Sequence, residues 1–263
     1  MKLSSALTHA TLGACALLLP LSASAIIIDF EGLEHGRIVN NQYIGLPWGV
    51  SISVDNVGGG PDIGVAFNTN LSGTRDPDLE SPWSGGNLHS STDLGNILII
   101  QENSNGIIDG IADLPDDEGS RAAGSITLSF DRALDFFGFD LVDVEGPSEY
   151  GANSGYFATF FMNGSEVNRV GFGDLINSAS PYYDSTIEFG DNYINRISPI
   201  TVGQNGIQSF DEVVINFGGS AGIDNIVFEY TPPNNPVPEP ATISLVGMGL
   251  AGLIMRNRKR NIA

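Results

Sequence analysis

Ser125-Ile126-Thr127-Leu128-Ser129-Phe130 alternates polar and apolar residues without a break. Only a period of two places Ile126, Leu128 and Phe130 on one face, so the segment reads as a strand with one face buried. The same reading extends outward. Ile26-Ile27-Ile28-Asp29-Phe30-Glu31, Val50–Val54, Ile97–Ile100, Phe136–Val144, Tyr156–Met162, Glu166–Phe172, Val213–Phe217 and Ile223–Tyr230 are further short β-type runs. Asn163-Gly164 separates two of them and is the strongest hairpin signal in the chain. No stretch between residues 26 and 231 carries a long helical period. Many short strands divided by Gly, Asn, Asp and Pro predict an all-β fold, an antiparallel β-sandwich over 26–231. The Gly-rich stretch 57–61 and the segments 68–93 and 103–124 read as exposed loops, and Pro232-Pro233-Asn234-Asn235-Pro236 as a linker.

Charge narrows the function. Of 263 residues, 31 are acidic and 11 basic, a formal charge of −20. Residues 26–240 contain six arginines and no lysine against those 31 carboxylates, so this part carries −25. Such a surface cannot neutralise phosphates, which excludes nucleic acid as a partner. It attracts cations and repels acidic partners. The one cysteine is Cys15, so neither a disulfide scaffold nor a multi-cysteine zinc site is available.

Both ends read as addresses. Lys2, the apolar run Leu12–Leu21 and Ala23-Ser24-Ala25 make the three parts of a secretory signal over residues 1–25, with cleavage after Ala25. That signal implies the Sec machinery and signal peptidase. The apolar residues continuing past Cys15 argue against a lipoprotein signal. At the other end, Val237-Pro238-Glu239-Pro240 precedes an apolar run from 241 to 255, and Arg256, Arg258, Lys259 and Arg260 follow. Fifteen helical residues reach about 22 Å, short of a bilayer core of about 30 Å, and flanking side chains that snorkel make up the difference. The basic cluster marks the cytoplasmic side. The prolines keep Pro238–Pro240 extended.

This C-terminal arrangement over residues 237–260 resembles the PEP-CTERM sorting signal of exopolysaccharide-producing Gram-negative bacteria. The resemblance implies that Pro238, Glu239 and Pro240 are recognised by an exosortase, a membrane protease or transpeptidase. It also implies an inner-membrane precursor destined for the cell surface or extracellular matrix. A plain membrane anchor is the simpler alternative. Asp29-Phe30-Glu31-Gly32-Leu33 and Ala221-Gly222-Ile223-Asp224-Asn225-Ile226 resemble the first and last strands of jelly-roll carbohydrate-binding and galactose-binding-like modules. Asp76-Pro77-Asp78-Leu79 and Leu94–Gln101 resemble segments of other PEP-CTERM proteins. From the jelly-roll likeness follow a structural calcium shared by Glu31 and Asp224, with Asp76 or Asp78 completing the shell, and extracellular polysaccharide as a ligand. The pleat turns Glu31 away from Ile28 and Phe30, so its carboxylate can avoid the core.

Other motifs fail on context. Gly247–Gly252 matches GxGxxG, yet lies inside the apolar run with no strand before it. Gly218-Gly219-Ser220-Ala221-Gly222 matches GxSxG, but no histidine follows Ser220. His35 and His89 form no HExxH pattern. Gln101–Ala112 imitates an EF-hand loop but lacks acids at its first and twelfth positions. Trp48, Trp83, Tyr182 and Tyr183 are candidates for a sugar-stacking platform or for the rim of the core. With no coherent catalytic set, the expectation is a non-enzymatic surface protein. A glycan-active hydrolase or lyase and a purely structural protein are the alternatives.

Overall fold

Alternating burial along the expected strands decides the architecture. A computed structural model describes residues 25–146, Glu149 and 157–231. The signal segment, linker, Pro-Glu-Pro motif, apolar run and basic cluster expected from the sequence lie outside the described residues.

The chain begins with β1 (Ile26–Ile28), β2 (Ile38–Val39), β3 (Val50–Asn56) and β4 (Gly64–Asn68). A 3-10 turn at Pro77–Leu79, β5 (Asn96–Ile100) and the small hairpin of β6 (Ile107–Ile108) and β7 (Ile111–Ala112) follow. Next come β8 (Gly124–Val142), β9 (Phe157–Met162), β10 (Ser165–Gly171) and a short helix α1 (Phe172–Ile176). The last strands are β11 (Ile194–Thr201), β12 (Phe210–Phe217) and β13 (Gly222–Tyr230). All pairings between these strands are antiparallel.

β8 organises the sandwich. The two runs around Phe130 and Phe136, separate in the sequence reading, form one strand of 19 residues. Its first part pairs with β3 and β12, and its second part with β11 and β13. The register slips where β12 passes from Phe210 to Glu212. The strands other than β6 and β7 form one continuous hydrogen-bonded sheet that divides at β8, with β10-β9-β12 and β3 on its first part, β11 and β13-β5-β4-β2 on its second, and β1 beside β13. One long strand with a register slip thus serves both halves of the sandwich. The inward residues are those the alternation selects: Ile126, Leu128 and Phe130 from the first part of β8, with Phe137, Phe139 and Leu141 from the second. Phenylalanine edges meet between strands: Phe130 and Phe228 at 5.0 Å, Phe160 and Phe210 at 4.8 Å. Such pairs add about 0.5–1.5 kcal/mol each beyond area burial. At the β9–β10 hairpin, Asn163 and Gly164 take φ of 50° and 75°, the left-handed pair a two-residue turn requires.

The expectation of exposed loops at 68–93 and 103–124 is corrected. Leu79, Trp83, Leu94 and Ala112 form a second core with Val65, Phe67, Ile97 and Ile99 on the outer face of β4 and β5. The loops thus roof the second half of the sandwich. That is why the Ile97–Ile100 run is continuously apolar: every residue of β5 is buried. β11 escaped the sequence reading because Pro199 interrupts it. Among the described strands it pairs with β8, its other edge meets the 85–88 segment at Ile194, and its register slips beside the proline.

Candidate functional site

The first and last strands meet as the resemblance implied. β8 covers one edge of β13, and β1 and β5 share the other: Ile28 lies opposite Ile226, and farther along the same edge Leu98 of β5 lies opposite Ile223. Continuing both ladders by a residue or two brings the Phe30-Glu31 segment, Asn96 and Asp224 to one junction. Phe30 is buried, while Asp29 and Glu31 face outward. Gly95, at φ +55°, makes room here, since a Cβ at that position would run into the Glu31 carboxylate. Glu31 Oε1 accepts the Asn96 backbone N–H at 2.8 Å. The Asn96 amide group donates to the carbonyls of Leu33 at 2.8 Å and Phe30 at 3.3 Å.

Two oxygens at this junction are left over. Asn96 Oδ1 and Asp224 Oδ1 are buried and have no hydrogen-bond partner. Asp224 is 1 % exposed, and its other oxygen accepts from Asn225 Nδ2 at 2.7 Å. Burial pushes the Asp224 carboxyl up to about 9; Asp140, Glu31 and Asp29 add to the rise, and the Asn225 backbone N–H opposes it. Tyr43 is pushed to about 12, first by burial and then by Asp29, Asp224 and Glu31. Nearby Asp140 is handled differently. It is fully buried, but Arg196 grips it with two bonds of 2.8 Å. A buried acceptor without a donor costs roughly 1–3 kcal/mol.

Of the expected ligand set, Asp76 and Asp78 do not lie at this junction. Asp76 heads the Pro77–Leu79 turn, whose Leu79 is anchored in the second core, and this holds it on the roof side of the sheet. There it meets Asp117, whose backbone N–H reaches Asp76 Oδ2 at 3.4 Å. Ser220 Oγ lies 2.7 Å from Asp117 Oδ2 and 2.8 Å from Asp143 Oδ2. Asn192 N–H donates to Asp143 Oδ1 at 2.6 Å. A serine hydroxyl has one proton, so it cannot donate to both carboxylates; one carboxyl must carry a proton of its own. Burial raises Asp143 to about 8 and, with the Asp76 charge next in importance, raises Asp117 well above the ordinary carboxylate range. Farther out, carboxylate oxygens of Asp143, Glu145 and Asp191 lie within 4.8 Å of one another. Asp78 is raised by burial, Asp191 and Asp76, so it belongs to this second cluster.

The remaining candidates have local roles. Ser220, the GxSxG serine, bonds carboxylates. His35 Nδ1 accepts the Asn68 N–H at 3.0 Å, while His89 Nδ1 lies 2.8 Å from Ser91 Oγ. Gln101 is buried and ties its own loop through Asn103, Leu114 and Asp116. Trp83, 3 % exposed, is a core residue, and Trp48 packs half-buried against the main core with its indole N–H on the Ile27 carbonyl. Tyr182 and Tyr183, by contrast, line a cleft of about 400 Å³. Asn96, Asp117 and Asp143 were missed in the sequence, where their polar identity is ordinary and only long-range strand pairing brings them to their partners.

Among the described residues no helix is long and apolar enough to cross a membrane. Comparison with curated proteins and with solved structures returns no match. Residues 236–259, which include Pro238-Glu239-Pro240 and the basic residues Arg256, Arg258 and Lys259, match the PEP-CTERM protein-sorting motif. The chain therefore carries at its C-terminal end a signal for sorting to the bacterial cell surface by an exosortase-type enzyme.

Proposed function

We propose that this chain is a non-catalytic surface protein whose β-sandwich is clamped by calcium and holds extracellular polysaccharide, the signal segment exporting it and the sorting motif delivering it to the cell surface or extracellular matrix. One observation carries the calcium reading: two buried oxygens without donors, Asn96 Oδ1 and Asp224 Oδ1, beside the Glu31 carboxylate. All the available donors are oxygens, the set that suits a hard divalent cation. A cation there offsets the burial that disfavours ionised Asp224. It also ties the first strand to the last, distant in sequence, which makes it a structural ion. Glu31, Asn96 and Asp224 are the residues that would hold it.

The enzyme alternative finds less support. The Tyr182–Tyr183 cleft contains one carboxylate, Asp184, held below its ordinary range by hydrogen bonds from Thr186. The paired carboxylates with raised affinity for protons lie elsewhere, tied up with Ser220.

Thermal unfolding of the full chain, purified in detergent, tests the calcium reading. Calcium at about a hundredfold excess over its dissociation constant should add about 2.7 kcal/mol relative to EDTA. For a domain of this size that is a rise of about 5–10 °C in Tm. An unchanged Tm would overturn the clamp. Sorting is tested separately: Glu239→Gln should leave an unprocessed precursor, and normal processing of that variant would overturn the assigned role of the motif.

A further inference from the structure

We infer that the cleft between the α1–β11 connection and β11 is the polysaccharide site, and that it takes an uncharged glycan. This rests on the polysaccharide reading and names its site and ligand class. The floor is apolar, formed by Leu175, Ile187 and Ile200. Two aromatic rings stand on it. Tyr183 is 45 % exposed, an unusual position for so large an apolar face. Tyr182 is half-buried and directs its hydroxyl at the Asn205 carbonyl at 3.4 Å. Gln204 supplies an amide to the lining, Asn205 is tied to Tyr182 and Pro181, and Ser185 and Ser198 supply hydroxyls.

A sugar ring presents a C–H face and an edge of hydroxyls. Aromatic plates meet the first, and amides and hydroxyls meet the second, which is the division of labour in this cleft. Its volume, about 400 Å³, lies within the range of small-ligand sites and suits a short stretch of polymer. The walls are held in place before any ligand arrives. Asn205 Nδ2 donates to the Pro181 carbonyl at 3.1 Å, and the Asp184 N–H donates to the Leu175 carbonyl at 2.8 Å. Little ordering remains to be done on binding.

Charge selects the class. No lysine or arginine lines the cleft. Its single carboxylate, Asp184, already accepts from the Thr186 N–H at 2.9 Å and the Thr186 hydroxyl at 2.6 Å. The surrounding chain carries a large negative excess. A polyanion would meet repulsion and no counter-charge.

The test is affinity electrophoresis of the full chain in a detergent without a sugar headgroup, through gels containing dextran, xyloglucan or polygalacturonate. Dextran or xyloglucan should retard the wild type, and polygalacturonate should not. Tyr183→Ala should weaken retardation about tenfold, equivalent to about 1.4 kcal/mol. Gln204→Ala should weaken it less, and both variants should unfold at the wild-type temperature. If Tyr183→Ala and Gln204→Ala are retarded like the wild type, the cleft is not the site, while polysaccharide binding survives. Retardation by polygalacturonate alone overturns the uncharged class. If no polymer retards the wild type, both the site and the polysaccharide reading fall.

Discussion

Two acidic clusters among the described residues, one around Ser220 and one where β1, β5 and β13 meet, solve burial in opposite ways. Around Ser220 every carboxylate has a partner: Asp143 accepts from Asn192, Asp117 meets Asp76, and one hydroxyl bridges the two. The charge problem there is answered by protons. At the junction of β1, β5 and β13 it is answered incompletely. Arg196 neutralises Asp140, but Asp224 Oδ1 and Asn96 Oδ1 are left without donors. The richer cluster of carboxylates is thus the poorer candidate for an ion. What marks a cation site is unsatisfied oxygen, because each buried donor or proton already present removes a reason for an ion to bind.

The largest expected effect sharpens this contrast directly. Asp224→Asn should abolish the calcium-induced rise in Tm, about 2.7 kcal/mol at a hundredfold excess, without lowering the Tm measured in EDTA. Asp143→Asn should leave that rise intact. A rise that survives in Asp224→Asn and vanishes in Asp143→Asn would reverse the assignment of the two clusters.

Next in size is Arg196→Ala. It strands Asp140 in the core, and the loss should be about 2 kcal/mol in chemical denaturation. That is below the ~3–5 kcal/mol of a fully buried pair, because the arginine side chain is 57 % exposed. A loss under about 0.5 kcal/mol would mean that Asp140 is relieved by something other than its arginine.

A further effect concerns protons. Asp143 holds its proton to about pH 8 when folded, against 3.8 ordinarily, and Asp117 shifts in the same direction. The folded chain binds more protons than the unfolded chain between those values. This contribution to stability is therefore full below about pH 4 and lost as pH rises through about 8. In EDTA, Tm should fall from pH 5 to pH 9, and Asp143→Asn should flatten part of that fall, since an asparagine can imitate the protonated acid. A slope unchanged in Asp143→Asn would show that the Ser220 network is not where the protons are held.

The smallest change is expected for Asp191→Asn. Asp191 is exposed beside Asp143 and Glu145. Its substitution should shift stability by about 0.5 kcal/mol or less and leave the calcium rise unaltered, as surface substitutions away from buried networks do.

Several parts of this protein were readable from local pattern. Ser125–Phe130 alternated because its odd and even side chains have different solvents. Asn163-Gly164 announced a turn because only such residues accept two left-handed positions in a row. Glu31 and Asp224 were reached through resemblance, and the structure does bring them to one junction, whereas Asp76 and Asp78 belong to the other cluster. β11 was hidden by Pro199, and the second core by the polar look of loops whose few apolar residues, Leu79 and Trp83 among them, point inward.

The sequence by itself determined the strand-rich class, the hairpin at 163–164 and the C-terminal sorting motif, because each depends on residues close together in the chain. Only the tertiary structure decided that β8 serves both halves of the sandwich, that Asn96 stands beside Glu31, and that Ser220 bridges two acids. Those outcomes depend on pairings between residues tens to nearly two hundred positions apart. A period of two says which face a side chain takes; it carries no record of which strand will lie alongside.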